Sequence, residues 1–263
     1  MPIRIREHSP WKTQVYVTKA LLQREAITRF GKYKLGFVWM LIDPLVSVII
    51  LGLILGPVLG RSSGEVPYAF FLLCGFMLLK LLTGPMSSGI GAISSNKGLL
   101  VFKKVQPLDP FISKFLFDLL SSSFAFTVFC LVGSWFGIPI STDNLFTLFF
   151  CIVCTWAIGS GLGIALGIAC TKFAELEKII AYIQRPLLFI SCVLYPSSNI
   201  PATHIKYLLL NPLVHTIEYS RMCLFPNYKA PGVNLAYPAL FALISLSLGF
   251  MTYRNNRHYL AQR

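Results

Sequence analysis

Long apolar runs separated by short, cation-rich polar segments dominate the chain. The runs cover residues 35–59, 66–82, 111–136, 145–170, 179–195 and 233–253. Most approach the roughly 20 residues that a helix needs to cross the hydrocarbon core. Backbone at that depth must satisfy its own hydrogen bonds, and the runs are continuous rather than alternating, so they predict helices and not barrel strands. The expected fold is an all-α integral membrane protein with about six transmembrane helices.

Polar interruptions of these runs are few. Asp43 lies in the first, Lys80 in the second, Lys114 and Asp118 in the third, and Arg185 beside Pro186 in the fifth; the fourth carries no charge. All are expected near span ends. A carrier driven by protons or sodium would place ionisable groups at the midplane, so this pattern lends that mechanism little support.

Two further segments are apolar without being long enough to cross. Residues 196–232 hold short greasy runs cut by Pro201, Pro212, Pro226 and Pro231. They predict a pair of re-entrant helices on the outer face, or an amphipathic outer loop resting on the bilayer. Residues 11–30 place Trp11, Val15, Leu22 and Ala26 on one helical face, with Val17 and Leu21 opposite. An interfacial helix along the inner leaflet is expected there, a soluble helix being the alternative. In the first and fourth runs, Gly52, Gly56 and Gly60 and then Gly159, Gly163 and Gly167 recur every fourth residue. Such ladders let helices approach closely, within one subunit or between two.

Composition agrees with lipid as the main solvent. The 263 residues are 55% hydrophobic and 13% charged, with mean hydropathy +0.68, whereas a soluble surface needs about 25% charge. The net charge of +13 sits in membrane flanks, so nucleic acid is not an expected partner. With the N-terminus inside, sixteen Lys or Arg fall in inner segments and four in outer ones. Both termini are therefore expected in the cytoplasm. Eight Lys or Arg and no apolar core in the first 34 residues leave membrane insertion to the first span. The domain organisation is a single transmembrane domain: a cytoplasmic interfacial segment 1–34, a six-helix region 35–253 and a tail 254–263.

Catalytic chemistry is not legible. The seven cysteines lie mainly inside apolar runs, and the Cys151/Cys154 pair has no companion pair or histidine cluster. Residues 91–98, GAISSNKG, lack the second glycine and the hydroxyl of a phosphate-binding loop. His215 and Glu218 could share a helical face, but no second such pair accompanies them. Glu175 and Glu177 read as solvated charge beside Lys172 and Lys178. No catalytic residue, no metal site and no bound cofactor are expected. The connection 96–109 is more informative. Leu99, Leu100 and Phe102 form an apolar ridge beside Lys103 and Lys104, a pattern suited to docking in a partner's groove or to lying on anionic lipid.

Four segments resemble the ABC-2 type exporter permeases: residues 28–45 (TRFGKYKLGFVWMLIDPL), 96–109 (NKGLLVFKKVQPLD), 195–201 (YPSSNIP) and 211–221 (NPLVHTIEYSR). The likeness favours the branch that exports capsular polysaccharide across the bacterial inner membrane. It leaves open another lipid-linked glycan, such as O-antigen or teichoic acid, and a stand-alone transporter or channel remains a rival. The resemblance implies a homodimer served by two cytoplasmic ABC ATPase subunits, which hold the ATP and Mg. It also implies a lipid-linked polysaccharide as cargo, with periplasmic co-polymerase and outer-membrane export proteins as partners. On this reading Asn96, Lys97, Leu99, Leu100, Phe102, Lys103 and Lys104 receive force from the ATPases. Arg24, Arg29, Lys32 and Lys34 form a basic inner rim for an acidic cargo, Tyr33, Phe37 and Trp39 line its path, and Tyr195, Pro201, Asn211, Pro212, His215, Glu218 and Arg221 build the outer re-entrant region.

Overall fold

A computed structural model describes residues 10–31, 36–59, 67–96, 98 and 105–261. Among them are nine α-helices: α1 (Pro10–Phe30), α2 (Trp39–Leu59), α3 (Tyr68–Ile90), α4 (Asp109–Trp135), α5 (Leu145–Lys172), α6 (Leu176–Ile190), α7 (Ala202–Leu208), α8 (Pro212–Leu224) and α9 (Ala236–Ala261). The described residues form no strand. Helices α2, α3, α4, α5 and α9 are long and apolar enough to cross a membrane.

Helix α5 is the central post, flanked by α3 and α9, and its glycines explain why. A Cβ on Gly159 would meet the Leu82 carbonyl oxygen at 2.5 Å, and one on Gly163 the Pro85 oxygen at 2.4 Å. Gly161 faces the other way, where its Cβ would fall 2.3 Å from the Ser245 backbone of α9. The α5 ladder thus serves contacts within one subunit. On α2, by contrast, Gly52 has nothing near its Cβ position and Gly56 only the Tyr68 ring at 3.8 Å, while Ile49, Ile50, Leu53 and Ile54 point outward. Gly60 lies outside the described residues.

The fifth span differs from the expected one. The helix over residues 179–195 ends at Ile190, and α6 has only 15 residues, about 22 Å at 1.5 Å per residue. The break is at Cys192, whose φ of 56° no helix accommodates. Connectivity nonetheless carries the chain across. Ala92, Phe111, Ile168 and Leu260 share one small core, and the Lys172 ammonium lies 5.7 Å from the Tyr259 ring centroid. The end of α3, the start of α4 and the ends of α5 and α9 therefore meet at one end of the bundle. Just past α6, the Leu194 carbonyl accepts a 2.8 Å hydrogen bond from the Tyr68 hydroxyl, at the opposite end of the 23-residue α3. A short helix plus a segment of turns and bends, 191–195, spans the distance.

The second span also departs from expectation. It was expected to stop at residue 82, before the Gly- and Ser-rich stretch, but α3 continues to Ile90. Gly89 in that stretch packs directly on Gly163, so its small residues are contact positions rather than a break. Lys80 consequently lies mid-helix, about 15 Å from the α3 C-terminus. The expectation that no ionisable residue is central is corrected on this point.

Candidate functional site

Two polar clusters stand out, one at each end of the bundle. The first joins α1 to the spans. Along α1 the face bearing Gln14, Val17, Leu21 and Glu25 is turned inward, with Leu21 buried and Trp11 and Val15 exposed. The side expected to lie opposite the apolar stripe is therefore the one that packs on α4. Polar contacts hold it. Gln14 donates to Asp109, and Arg24 donates to the Asn96 side chain at 2.5 Å and to the Ser95 carbonyl at 3.1 Å. Glu25 lies 3.9 Å from Lys114. Arg29 donates through Nε to Glu25 at 2.7 Å and through Nη1 to Asp118 at 2.6 Å, with its guanidinium 5.0 Å from the Phe117 ring centroid. Asp118 is buried and accepts a 2.6 Å hydrogen bond from the Ser88 hydroxyl of α3.

Beside this network lies a cavity of about 670 Å³ between α1, α2, α3 and α4. Arg29 and Asp118 form one wall, and a second ion pair, Lys80 Nζ to Asp43 Oδ2 at 2.8 Å, forms another. Phe30, Trp39 and Phe117 supply aromatic surface, and Ser87, Ser121 and Ser122 hydroxyls.

Of the expected inner residues, Asn96 is buried and anchors Arg24. Arg24 and Arg29 are committed to protein partners, so they tie α1 down as well as contribute charge. Trp39 opens α2 on the cavity wall. Lys32, Tyr33, Lys34, Lys97, Leu99, Leu100, Phe102, Lys103 and Lys104 lie outside the described residues, as does the Phe37 side chain.

The second cluster lies in the region expected to be outer and re-entrant. Asn211 caps α8, accepting from the Leu213 amide at 3.0 Å, with Pro212 in the first turn, where its missing N–H costs nothing. The Asn211 amide also donates to the Ser191 hydroxyl at 2.8 Å. Pro201 opens α7, and the Tyr195 hydroxyl donates to the Phe189 carbonyl at 2.7 Å. His215 receives the Asn234 amide on Nδ1 at 2.9 Å. That ring is therefore neutral, with Nε2–H donating to the Leu209 carbonyl at 2.9 Å.

Arg221 and Glu218 are wholly buried at 0% exposure and paired at 2.8 Å. Arg221 also donates to the carbonyls of Cys192, Val193 and Phe71 at 2.7, 2.8 and 3.2 Å, and its guanidinium lies 3.5 Å from the Phe71 ring centroid. Glu218 accepts from Ser197 at 2.7 Å and Tyr228 at 2.8 Å. Arg221 and Glu218 thus form the centre of this region, and His215 and Glu218 each bond to protein partners of their own.

The sequence reading missed the cavity and its two ion pairs. Asp43, Lys80, Arg29 and Asp118 were visible singly, and the available signal was their balance of two acids and two bases, three within apolar runs and Arg29 just before the first. The pairing itself joins residues 37 and 89 positions apart, a separation no local pattern encodes.

A bundle of crossing helices, stitched at one end to a polar surface helix and closed at the other by short re-entrant helices, defines a membrane-embedded transport subunit. Comparison with known proteins gives the family. The profile of the ABC-2 type transporter family matches residues 16–225, and the chain belongs to that family. It is 34% identical over 254 residues to the polysialic acid transport protein KpsM of Escherichia coli, covering 94% of this chain and 95% of that one. The capsule polysaccharide export inner-membrane protein CtrC of Neisseria meningitidis is 28% identical, with 90% and 89% covered. BexB of Haemophilus influenzae, which carries the same description, is 24% identical, with 91% and 90% covered.

Proposed function

We propose that this chain is the inner-membrane permease subunit of an ATP-driven exporter of lipid-linked capsular polysaccharide. It works as a homodimer with two cytoplasmic ABC ATPase subunits that hold ATP and Mg. Periplasmic co-polymerase and outer-membrane export proteins complete the route. The observation that carries the reading is near-complete alignment, along both chains, with a polysialic acid transport protein and a capsule polysaccharide export inner-membrane protein. In this scheme the end where α1, residues 91–96 and 105–109, and the C-terminal turns of α5 and α9 gather faces the cytoplasm; the Lys and Arg of α1, Lys97, Lys103 and Lys104 between those two pieces, and Lys172, Arg254 and Arg257 support that side. Both termini lie there, and transport, with no hydrolysis of its own, is the work of this subunit.

Force from the ATPases enters at two places on that end, α1 and the ridge in segment 97–104. The polar contacts from Gln14 to Arg29 make α1 a lever fixed to α4 and to the end of α3. Replacing Leu99 and Phe102 together by Asp tests the docking. The ATPase is expected to be lost from affinity-purified permease while the permease itself accumulates normally. Unchanged co-purification refutes docking through this ridge.

A further inference from the structure

The cavity beside Arg29 has features that the packing of four helices does not call for. Charged groups in the inner half of a bilayer are costly, and they persist where they pair or line a wet, functional space. Here two ion pairs face one space of about 670 Å³, within the size range of ligand sites. Neither pair exhausts its donors. Arg29 engages its carboxylates through Nε and Nη1, leaving Nη2 outside both bonds. Lys80 spends one of three ammonium protons on Asp43.

The carboxylate of Asp43 is 71% exposed, so one oxygen remains open to a hydroxyl or amine. Formal charge on the walls balances, which disfavours a bare polyanion and suits a ligand carrying both an anionic centre and donors. Phe30, Trp39, Met40 and Met77 complete an apolar lining, as an amphiphile would need.

We infer that this cavity binds the phosphodiester head group of a membrane amphiphile. The phosphate lies between Arg29 and Lys80, and the neighbouring hydroxyls or amine lie on Asp43 and the serines. Two sources share this chemistry: the lipid-linked end of a glycan and an ordinary phospholipid. The choice of the first rests on the exporter reading; the site itself does not. Because Arg29 belongs to α1, occupancy and the position of that helix are linked: a head group drawn to Nη2 loads the same guanidinium that fastens α1 to Asp118.

The test uses the permease with its ATPase in intact membranes of cells grown with radioactive phosphate. A photo-crosslinking p-benzoylphenylalanine replaces Trp39 on the cavity wall or, as a control, Leu53, which is 74% exposed on the outward face of α2. Labelling through position 39 is expected to exceed that through position 53. It should fall about tenfold when Lys80→Gln and Asp43→Asn are combined, as loss of a charge-assisted contact implies.

Ser121→Phe, which fills the space without removing either ion pair, should reduce labelling similarly and serves if the double variant fails to accumulate. Label confined to cells that synthesise the polysaccharide identifies the glycan lipid; label also present in cells blocked in its synthesis identifies a phospholipid. Both outcomes support the site. Equal labelling at positions 39 and 53, or labelling indifferent to these substitutions, overturns it. A chain that is no exporter would fail to co-purify with the ATPase yet keep its phospholipid label.

Discussion

Arg221 shows how one side chain can organise a membrane protein's surface. Its guanidinium meets three carbonyls, one carboxylate and one aromatic face, all without contact with water. Two of those carbonyls belong to Cys192 and Val193, where the chain leaves α6 through a left-handed residue. A non-glycine residue in that conformation costs on the order of 1 kcal/mol or more, and the donors offset it. Gly75 is required on the facing side, since a Cβ there would lie 2.7 Å from Arg221 Nη2.

Breaking a buried pair costs about 3–5 kcal/mol, because the remaining charge is stranded. Arg221→Met should therefore lower the unfolding temperature of the detergent-purified protein sharply. Arg221→Met combined with Glu218→Gln should recover part of the loss. If the double variant is no more stable than the single one, the stranded carboxylate is not the cause.

Among the helices, contact distance separates two glycine ladders that look alike. On α5 each ladder position abuts a backbone carbonyl of a neighbouring helix, so Gly163→Ala must push α3 away or distort it. Overpacking of this kind costs about 1–3 kcal/mol. Gly52→Ala on α2 meets open space and should cost little, with helix propensity favouring the change by about 1 kcal/mol. Side-by-side thermal unfolding of the two variants, as purified protomers, decides the point; equal destabilisation would show that the α2 ladder is also a tight contact.

The same scale explains why helix boundaries were only partly legible. Residues 111–136 and 145–170 match α4 and α5 closely because unbroken apolar runs of that length leave the backbone no alternative in lipid. Residues 83–90 were misjudged because Gly and Ser weaken hydropathy whether they end a helix or let another helix approach. Sequence alone does not distinguish those roles.

For the whole molecule, the decisive arrangement is the meeting of α1, the α3–α4 connection and the ends of α5 and α9 at one end. It sets α1 and the C-terminal turns of α9 at the same end of a bundle whose five long apolar helices stand beside the shorter α6. A reporter fused after Arg263 tests the orientation. Green fluorescent protein there should fluoresce and alkaline phosphatase should be inactive, the signature of a cytoplasmic terminus. The reverse pattern would invert the topology and place the α1 lever out of reach of any ATPase.

Hydropathy along the chain was sufficient for the all-helical membrane class and for locating the five long apolar helices, because each depends on local composition against a solvent of fixed thickness. Tertiary structure alone decided which glycines touch, why α6 stops at Ile190, and how Arg29, Asp118, Lys80 and Asp43 come to face one cavity. Those outcomes depend on side chains dozens of residues apart reaching the same depth on neighbouring helices, and a one-dimensional pattern holds no record of which helix lies beside which.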